Sequence, residues 1–403
     1  YLHILAALEK GLVTEEDIRR DCVHVLRTRI RLGQLDRTEY DDIPYTAVST
    51  EEHKAASLEC ALRSAVLLEN DGILPLSDSI GTIAVIGPNA DSRDALTGNY
   101  NGTADQYITF LEGIRERFSG RILYSQGCHL YKDRCQGLAQ PGDLYSEALA
   151  AAENSDVVIA CVGLDATLEG EEGDTGNEFS SGDKPDLRLP ESQRILLEKL
   201  SALGKPLVIV LAAGSSVNVG VKCSALLDMW YPGQMGGRAL AQLLFGDVSP
   251  SGKLPVTFYK SAELLPDIRD YSMRGRTYRY CAPENVLYPF GYGLSYAKFT
   301  LSQPEFTQKT VSVTLANGSG FYAEDVLQLY IRGDSEYDVP NGSLCGFCRV
   351  GLAPGESRRI TLEIPAEAFD TVFPDGSRKR VGTHYILTVK DGTGTDVAGE
   401  IKL

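Results

Sequence analysis

The hydrophobic pattern changes texture twice along the chain. It opens on YLHILAALEKG (1–11), amphipathic at helical spacing with Gly11 as a left-handed stop. Thr14-Glu15-Glu16-Asp17 has the form of a capping box, and the helix that it starts runs to Gly33. Residues 34–50 are polar, include a proline and predict a linker. EEHKAASLECALRSAVLL (51–68) then predicts another long helix.

From there to about residue 290, continuous apolar runs alternate with amphipathic stretches. The runs are TIAVIG (82–87), RILYSQG (121–127), DVVIACVG (156–163), PLVIVLAAG (206–214), ALLDMWY (225–231) and LPVTF (254–258). Helical spacing recurs near 105–118, 143–154, 191–203 and 234–245. Strands without alternation, separated by amphipathic helices, predict a mostly parallel sheet covered on both faces. In such α/β sheets ligands gather beyond the carboxyl ends of the strands. Past about 297, VSVTLANGS, AEDVLQLYIR, ESRRITLEIP and THYILTVKDG alternate apolar and polar residues, with Gly, Pro, Asn and Asp at the breaks. That pattern predicts an all-β sandwich of about 100 residues, like an immunoglobulin or fibronectin type III module.

One strand end is crowded with acids. GLDATLEGEEGD (163–174) follows DVVIACVG and carries Asp165, Glu169, Glu171, Glu172 and Asp174. A solvated loop accounts for them, and composition alone favours that. A site that needs a carboxylic acid would also use them: a glycosidase keeps one carboxyl protonated near neutral pH and employs a second as base or nucleophile. Crowding Glu169, Glu171 and Glu172 favours a protonated member, because like charges raise each other's pKa.

The totals narrow the alternatives. At 403 residues the chain predicts two or three domains, and 43% apolar with 23% charged residues is ordinary for soluble globular protein. No apolar run approaches the roughly 20 residues of a transmembrane helix. A net charge of −16 argues against nucleic acid or an anionic membrane as partner. The nine cysteines are scattered and odd in number, which favours a reduced, cytoplasmic setting over a disulfide framework. Cys345-Gly-Phe-Cys348 lacks a second pair or nearby histidines for zinc. No GxxxxGK[ST] and no strand-linked GxGxxG is present, so no phosphate-bearing cofactor is expected. Ala213-Gly214-Ser215-Ser216 follows a strand without the GxSxG form, and the five histidines show no metal-ligand spacing. Carboxylate chemistry remains.

Several long motifs, in order, carry a resemblance. RLGQLD (31–36), KAASLECALRSAVLLENDGILPL (54–76), IAVIGPNAD (83–91), GNYNGTADQYITFLEGI (98–114), WYPGQMGGRALAQLLFGDVSPSGKLPVTF (230–258), YSMRGRTYRY (271–280) and LYPFGYGLSY (287–296) are very similar to glycoside hydrolase family 3. The likeness is to its β-glucosidases and β-xylosidases, and CGFCRVGLAPGESRRITLEIP (345–365) looks like their fibronectin-like domain.

The resemblance implies a barrel remnant over 1–35, a linker over 36–55, the α/β sandwich domain over 56–296 and the fibronectin-like domain over 297–403. It implies a retaining, cofactor-free, exo-acting hydrolysis of terminal β-linked sugars from oligosaccharides or glycosides. In the family an aspartate of a (β/α)₈-type barrel is the nucleophile, in a Ser-Asp-Trp-like motif that this sequence lacks. A loop of the α/β domain supplies the acid/base glutamate, and GLDATLEGEEGD with DLRLPESQRILLEKL (186–200) matches it in position. Glu171 is the first candidate, Glu169 the second and Glu172 the third. The barrel, on the same or a separate chain, is thus an expected partner, without which this chain should be inactive. A homo-oligomer stays open, as does the alternative of a non-catalytic carbohydrate-binding or assembly module.

Overall fold

The computed structural model describes residues 3–133, 138, 140, 142–169, 184 and 186–402. The chain divides into two compact units, residues 1–53 and 54–403. In the first, α1 (Ile4–Glu9) and α2 (Glu15–Arg31) are helical. The capping box at the start of α2 forms: Thr14 Oγ1 accepts from Asp17 N at 3.1 Å, and Asp17 Oδ2 accepts from Thr14 N at 3.0 Å. Residues 34–50 hold two short 3₁₀ turns, Glu39–Asp42 and Tyr45–Ala47.

The sequence pattern joined residues 51–68 into one helix, and here it needs correction. α3 (Glu51–Ser64) stops at Ser64, and β1 (Val66–Asn70) follows as a strand. A short apolar run such as AVLL suits a buried helix or a buried strand equally, so periodicity could not separate them.

β1 edges a six-stranded sheet with β2 (Thr82–Ile86), β3 (Arg121–Ser125), β4 (Val157–Gly163), β5 (Leu207–Ala212) and β6 (Ala225–Asp228). Their order is β1-β6-β5-β4-β2-β3, parallel throughout except for antiparallel β1. Alternate residues serve opposite faces, as the pleat requires. Ile83, Val85, Ile159, Cys161, Val208 and Val210 face a core closed by α4 (Phe110–Arg117) and α7 (Gly236–Leu244). Ala84, Ile86, Val158, Ala160, Val162 and Ile209 face one closed by α5 (Asp143–Glu153) and α6 (Glu191–Ala202). Apolar demand on both faces is why these strands read as unbroken hydrophobic runs.

LPVTF is the second correction. Only Phe258 joins a strand, β7 (Phe258–Tyr259), which pairs with β8 (Val286–Tyr288) outside the main sheet. Pro255 has no N–H to give a central ladder, and Val256 is exposed.

The last part of the chain is a β sandwich. One sheet joins β9 (Phe299–Phe306), β10 (Thr310–Asn317) and β13 (Ser357–Glu363). The other orders β12 (Ser343–Leu352), β11 (Ala323–Gly333), β16 (His384–Lys390) and β17 (Asp396–Lys402), with a small β14–β15 hairpin (Thr371–Val372, Arg378–Lys379) between them in sequence. Val311, Val313 and Leu315 of β10 meet Leu327, Leu329, Leu387 and Val389 in the core. The four strands expected from alternation are β10, β11, β13 and β16. β9, β12 and β17 were not legible, because few of their positions are buried and the alternation is correspondingly weak.

Candidate active-site loop

β4 ends at Gly163, whose φ of +146° and close packing admit no side chain: a Cβ there would lie 1.9 Å from Ala212 O. The chain leaves the sheet at this point. Gln193 of α6, fully buried, holds it from both sides. Its Oε1 accepts from Gly163 N at 2.8 Å, and its Nε2 donates to Gly163 O at 2.7 Å and to Leu130 O at 2.5 Å. Asn89, buried beyond β2, donates from Nδ2 to Leu164 O at 3.0 Å.

Asp165 turns the chain back on itself. Its Oδ1 accepts from Thr167 N at 2.8 Å and Thr167 Oγ1 at 2.6 Å. Its carbonyl accepts from Leu168 N and Glu169 N at 3.0 Å each. Such a local Asx bond offers the backbone a turn that no ladder supplies. Asp165 is itself buried, so it is committed to this turn. Leu168 points into the apolar core on the α5–α6 side.

Glu169 comes next, and three donors converge on its carboxylate. Oε2 accepts from Gly214 N at 3.0 Å and from Tyr231 Oη, and Oε1 accepts from Ser215 Oγ at 2.5 Å. Its carbonyl accepts from Asn99 Nδ2 at 2.8 Å. Burial, and then the Glu169 charge, push the Tyr231 phenol well above its ordinary value, so Tyr231 stays a donor. Asp228, at the end of β6, is wholly buried; Oδ1 accepts from Trp230 N at 3.0 Å, and among the described residues nothing donates to Oδ2. Its carboxyl is pushed up to about 8 by burial, with Glu169 adding to the effect and the Trp230 N–H opposing it.

Of the three glutamates singled out in the sequence, Glu169 is therefore placed, at the carboxyl end of the sheet. Glu171 and Glu172 lie outside the described residues. That Tyr231, Gly214 and Ser215 meet Glu169 was not foreseen from the sequence. These three follow β6 and β5, whose ends come beside the end of β4 only through the strand order β6-β5-β4, and local sequence carries no signal of that. Arg188 pairs with Asp186, two residues before it, at 2.6 Å. Among the described residues there is no His/Cys/Asp/Glu cluster able to hold a metal ion.

Comparison with known proteins gives these residues a context. Residues 65–296 match the model of the glycosyl hydrolase family 3 C-terminal domain, and residues 325–391 that of a fibronectin type III-like domain. A xylan 1,4-beta-xylosidase of Xylanibacter ruminicola is 28% identical, over 92% of this chain and 60% of its own. A periplasmic beta-glucosidase of Salmonella typhimurium is 34% identical, over 90% of this chain and 52% of its own. The structure of a family 3 exo-beta-xylosidase in complex with a xylobiose aziridine probe superimposes with a TM-score of 0.81 at 29% identity, covering 100% of this chain and 55% of that one. The chain thus spans about half the length of the relatives it matches.

Proposed function

This chain belongs to glycoside hydrolase family 3, and from that premise we propose that it supplies the acid/base side of a retaining, exo-acting β-glycosidase. The substrate would be a terminal β-linked xylose or glucose of an oligosaccharide or glycoside. The supporting observation is a loop carrying Glu169, Glu171 and Glu172 whose root is pinned at the carboxyl end of the sheet by Gln193, Asn89 and Asp165. A rigid root is what a proton donor needs, since orientation errors near 1 Å cost large factors in rate.

In this reading a loop glutamate, Glu171 first, protonates the departing glycosidic oxygen while an aspartate from a barrel attacks the sugar. The same glutamate then deprotonates the water that releases the glycosyl-enzyme. Retention requires the two carboxyls roughly 5–5.5 Å apart, so the barrel must pack against this loop. Val23, Leu26 and Ile30 of α2, spaced three and four residues apart and exposed, fit a helix made to pack against more of such a barrel.

The test uses Glu171→Ala in the barrel-containing enzyme. Turnover of glycosides with poor leaving groups should collapse, and azide should restore activated aryl glycosides by replacing the missing base. The 403-residue chain alone should leave aryl β-xylosides and β-glucosides intact. If all three glutamates can be replaced without changing leaving-group dependence, the loop is not the acid/base and a non-catalytic module is the better account.

A further inference from the structure

We propose that Glu169 is a positioning residue: its carboxylate latches the acid/base loop to the ends of β5 and β6 through Tyr231, Ser215 and Gly214, and so is not the proton donor. This rests on the acid/base-loop reading given above and divides the roles within it.

A group that hands a proton to a glycosidic oxygen must present a free oxygen towards substrate. Both oxygens of Glu169 are already engaged by donors just past β5 and β6. Gly214 N at 3.0 Å and Tyr231 Oη occupy Oε2, and Ser215 Oγ at 2.5 Å occupies Oε1. Turning towards a substrate would give up all three of these bonds at once.

The receiving side is built for this contact. The Tyr231 ring sits against Gly98 and Gly214, where an added Cβ would come to 3.0 Å from a ring carbon in each case. A side chain at either position would press on the ring and push it by a few tenths of an ångström from where its hydroxyl meets Glu169. Beneath it, Trp230 has φ +54°, a left-handed backbone rare for a non-glycine residue, and its N–H is held by Asp228. Trp230 Nε1 donates to Ser64 O at 3.0 Å. The turn that presents Tyr231 is therefore fixed on both sides. Asn99 adds a bond to the Glu169 carbonyl, so side chain and main chain of the same residue are both tied. Glu171 follows two residues later, and the latch sets the point from which it departs.

Two measurements test the latch, one free of catalysis. In the 403-residue chain, Glu169→Gln and Tyr231→Phe should each speed amide hydrogen exchange over residues 164–169 by at least tenfold, with circular dichroism unchanged. Unaltered exchange in both folded variants overturns the latch. In the barrel-containing enzyme, both substitutions should lower kcat roughly 10- to 100-fold on good and poor leaving groups alike. The pH profile should keep its shape, azide should not rescue, and the double variant should be no worse than either single one. Azide rescue of Glu169→Gln with steep leaving-group dependence would make Glu169 the donor and sink the proposal. Failure of the acid/base reading shows differently: Glu171→Gln and Glu172→Gln would also lack any leaving-group effect, while exchange still reports on the latch.

Discussion

Lys253 Nζ lies 2.8 Å from Asp325 Oδ1, and both side chains are almost wholly shielded from water, at 7% and 0% exposure. Lys253 precedes β7 in the α/β domain, whereas Asp325 belongs to β11 of the sandwich. The ammonium also donates to Gly293 O at 2.7 Å, and Val326 N donates to the same carboxylate oxygen at 2.8 Å. Near it, Arg349 of β12 reaches Ser251 Oγ at 2.6 Å and Arg63 O at 3.2 Å. The two domains thus meet across a charged, buried seam.

Breaking one side of such a pair strands the other charge in a low-dielectric site. Lys253→Met or Asp325→Leu alone should each cost about 3–5 kcal/mol, whereas the double variant should recover most of that loss. Urea unfolding of the four proteins in a double-mutant cycle measures this. Additive single effects would show that the pair is not coupled.

Asp228 predicts a pH dependence. Burial pushes its carboxyl up to about 8 from an ordinary 3.8. Between those values the folded state keeps a proton that the unfolded state has released. Stability therefore falls as pH rises from about 4 to about 8 and levels off above, by at most about 1.4 kcal/mol per pH unit. Asp228→Asn removes the group, so its stability relative to the natural chain should improve steadily across that window. Thermal unfolding at pH 5 and pH 8 checks it, and an equal difference at both values would count against the assignment.

Gln193 should be hard to replace. Gln193→Leu keeps the volume but deprives Gly163 N, Gly163 O and Leu130 O of their partner. The cost should be about 1–3 kcal/mol for each group left buried without a partner, read by denaturant unfolding. Gln193→Glu retains an acceptor for Gly163 N and no amide donor, so it should still lose stability. A leucine variant as stable as the natural chain would mean that Gln193 does not clamp the loop root.

Much of the architecture was legible because it repeats one-dimensional signals. Unbroken runs such as VVIACVG and LVIVLA mark strands buried on both faces, and TVSVTLAN marks one buried on a single face. The capping box at Thr14 was visible because all its atoms lie within four residues. Periodicity failed at AVLL, where helix and strand make the same demand on a short run, and at LPVTF, where proline bars the ladder. The acids at 165–174 stood out by crowding, yet their division of labour did not. Asp165 has the same carboxylate chemistry as its neighbours, and nothing local marks it as the one committed to the turn.

By itself, then, the sequence determined the layered α/β domain, the sandwich after it and the acidic loop at the end of β4, since each depends on residue spacing within one element. The strand order β6-β5-β4 brought Tyr231, Ser215 and Gly214 onto Glu169, and domain packing brought Lys253 onto Asp325. Those contacts join positions 45 to 72 residues apart. Only the folded chain decides them, because burying the apolar faces of the sheet is what forces distant polar groups to become each other's partners.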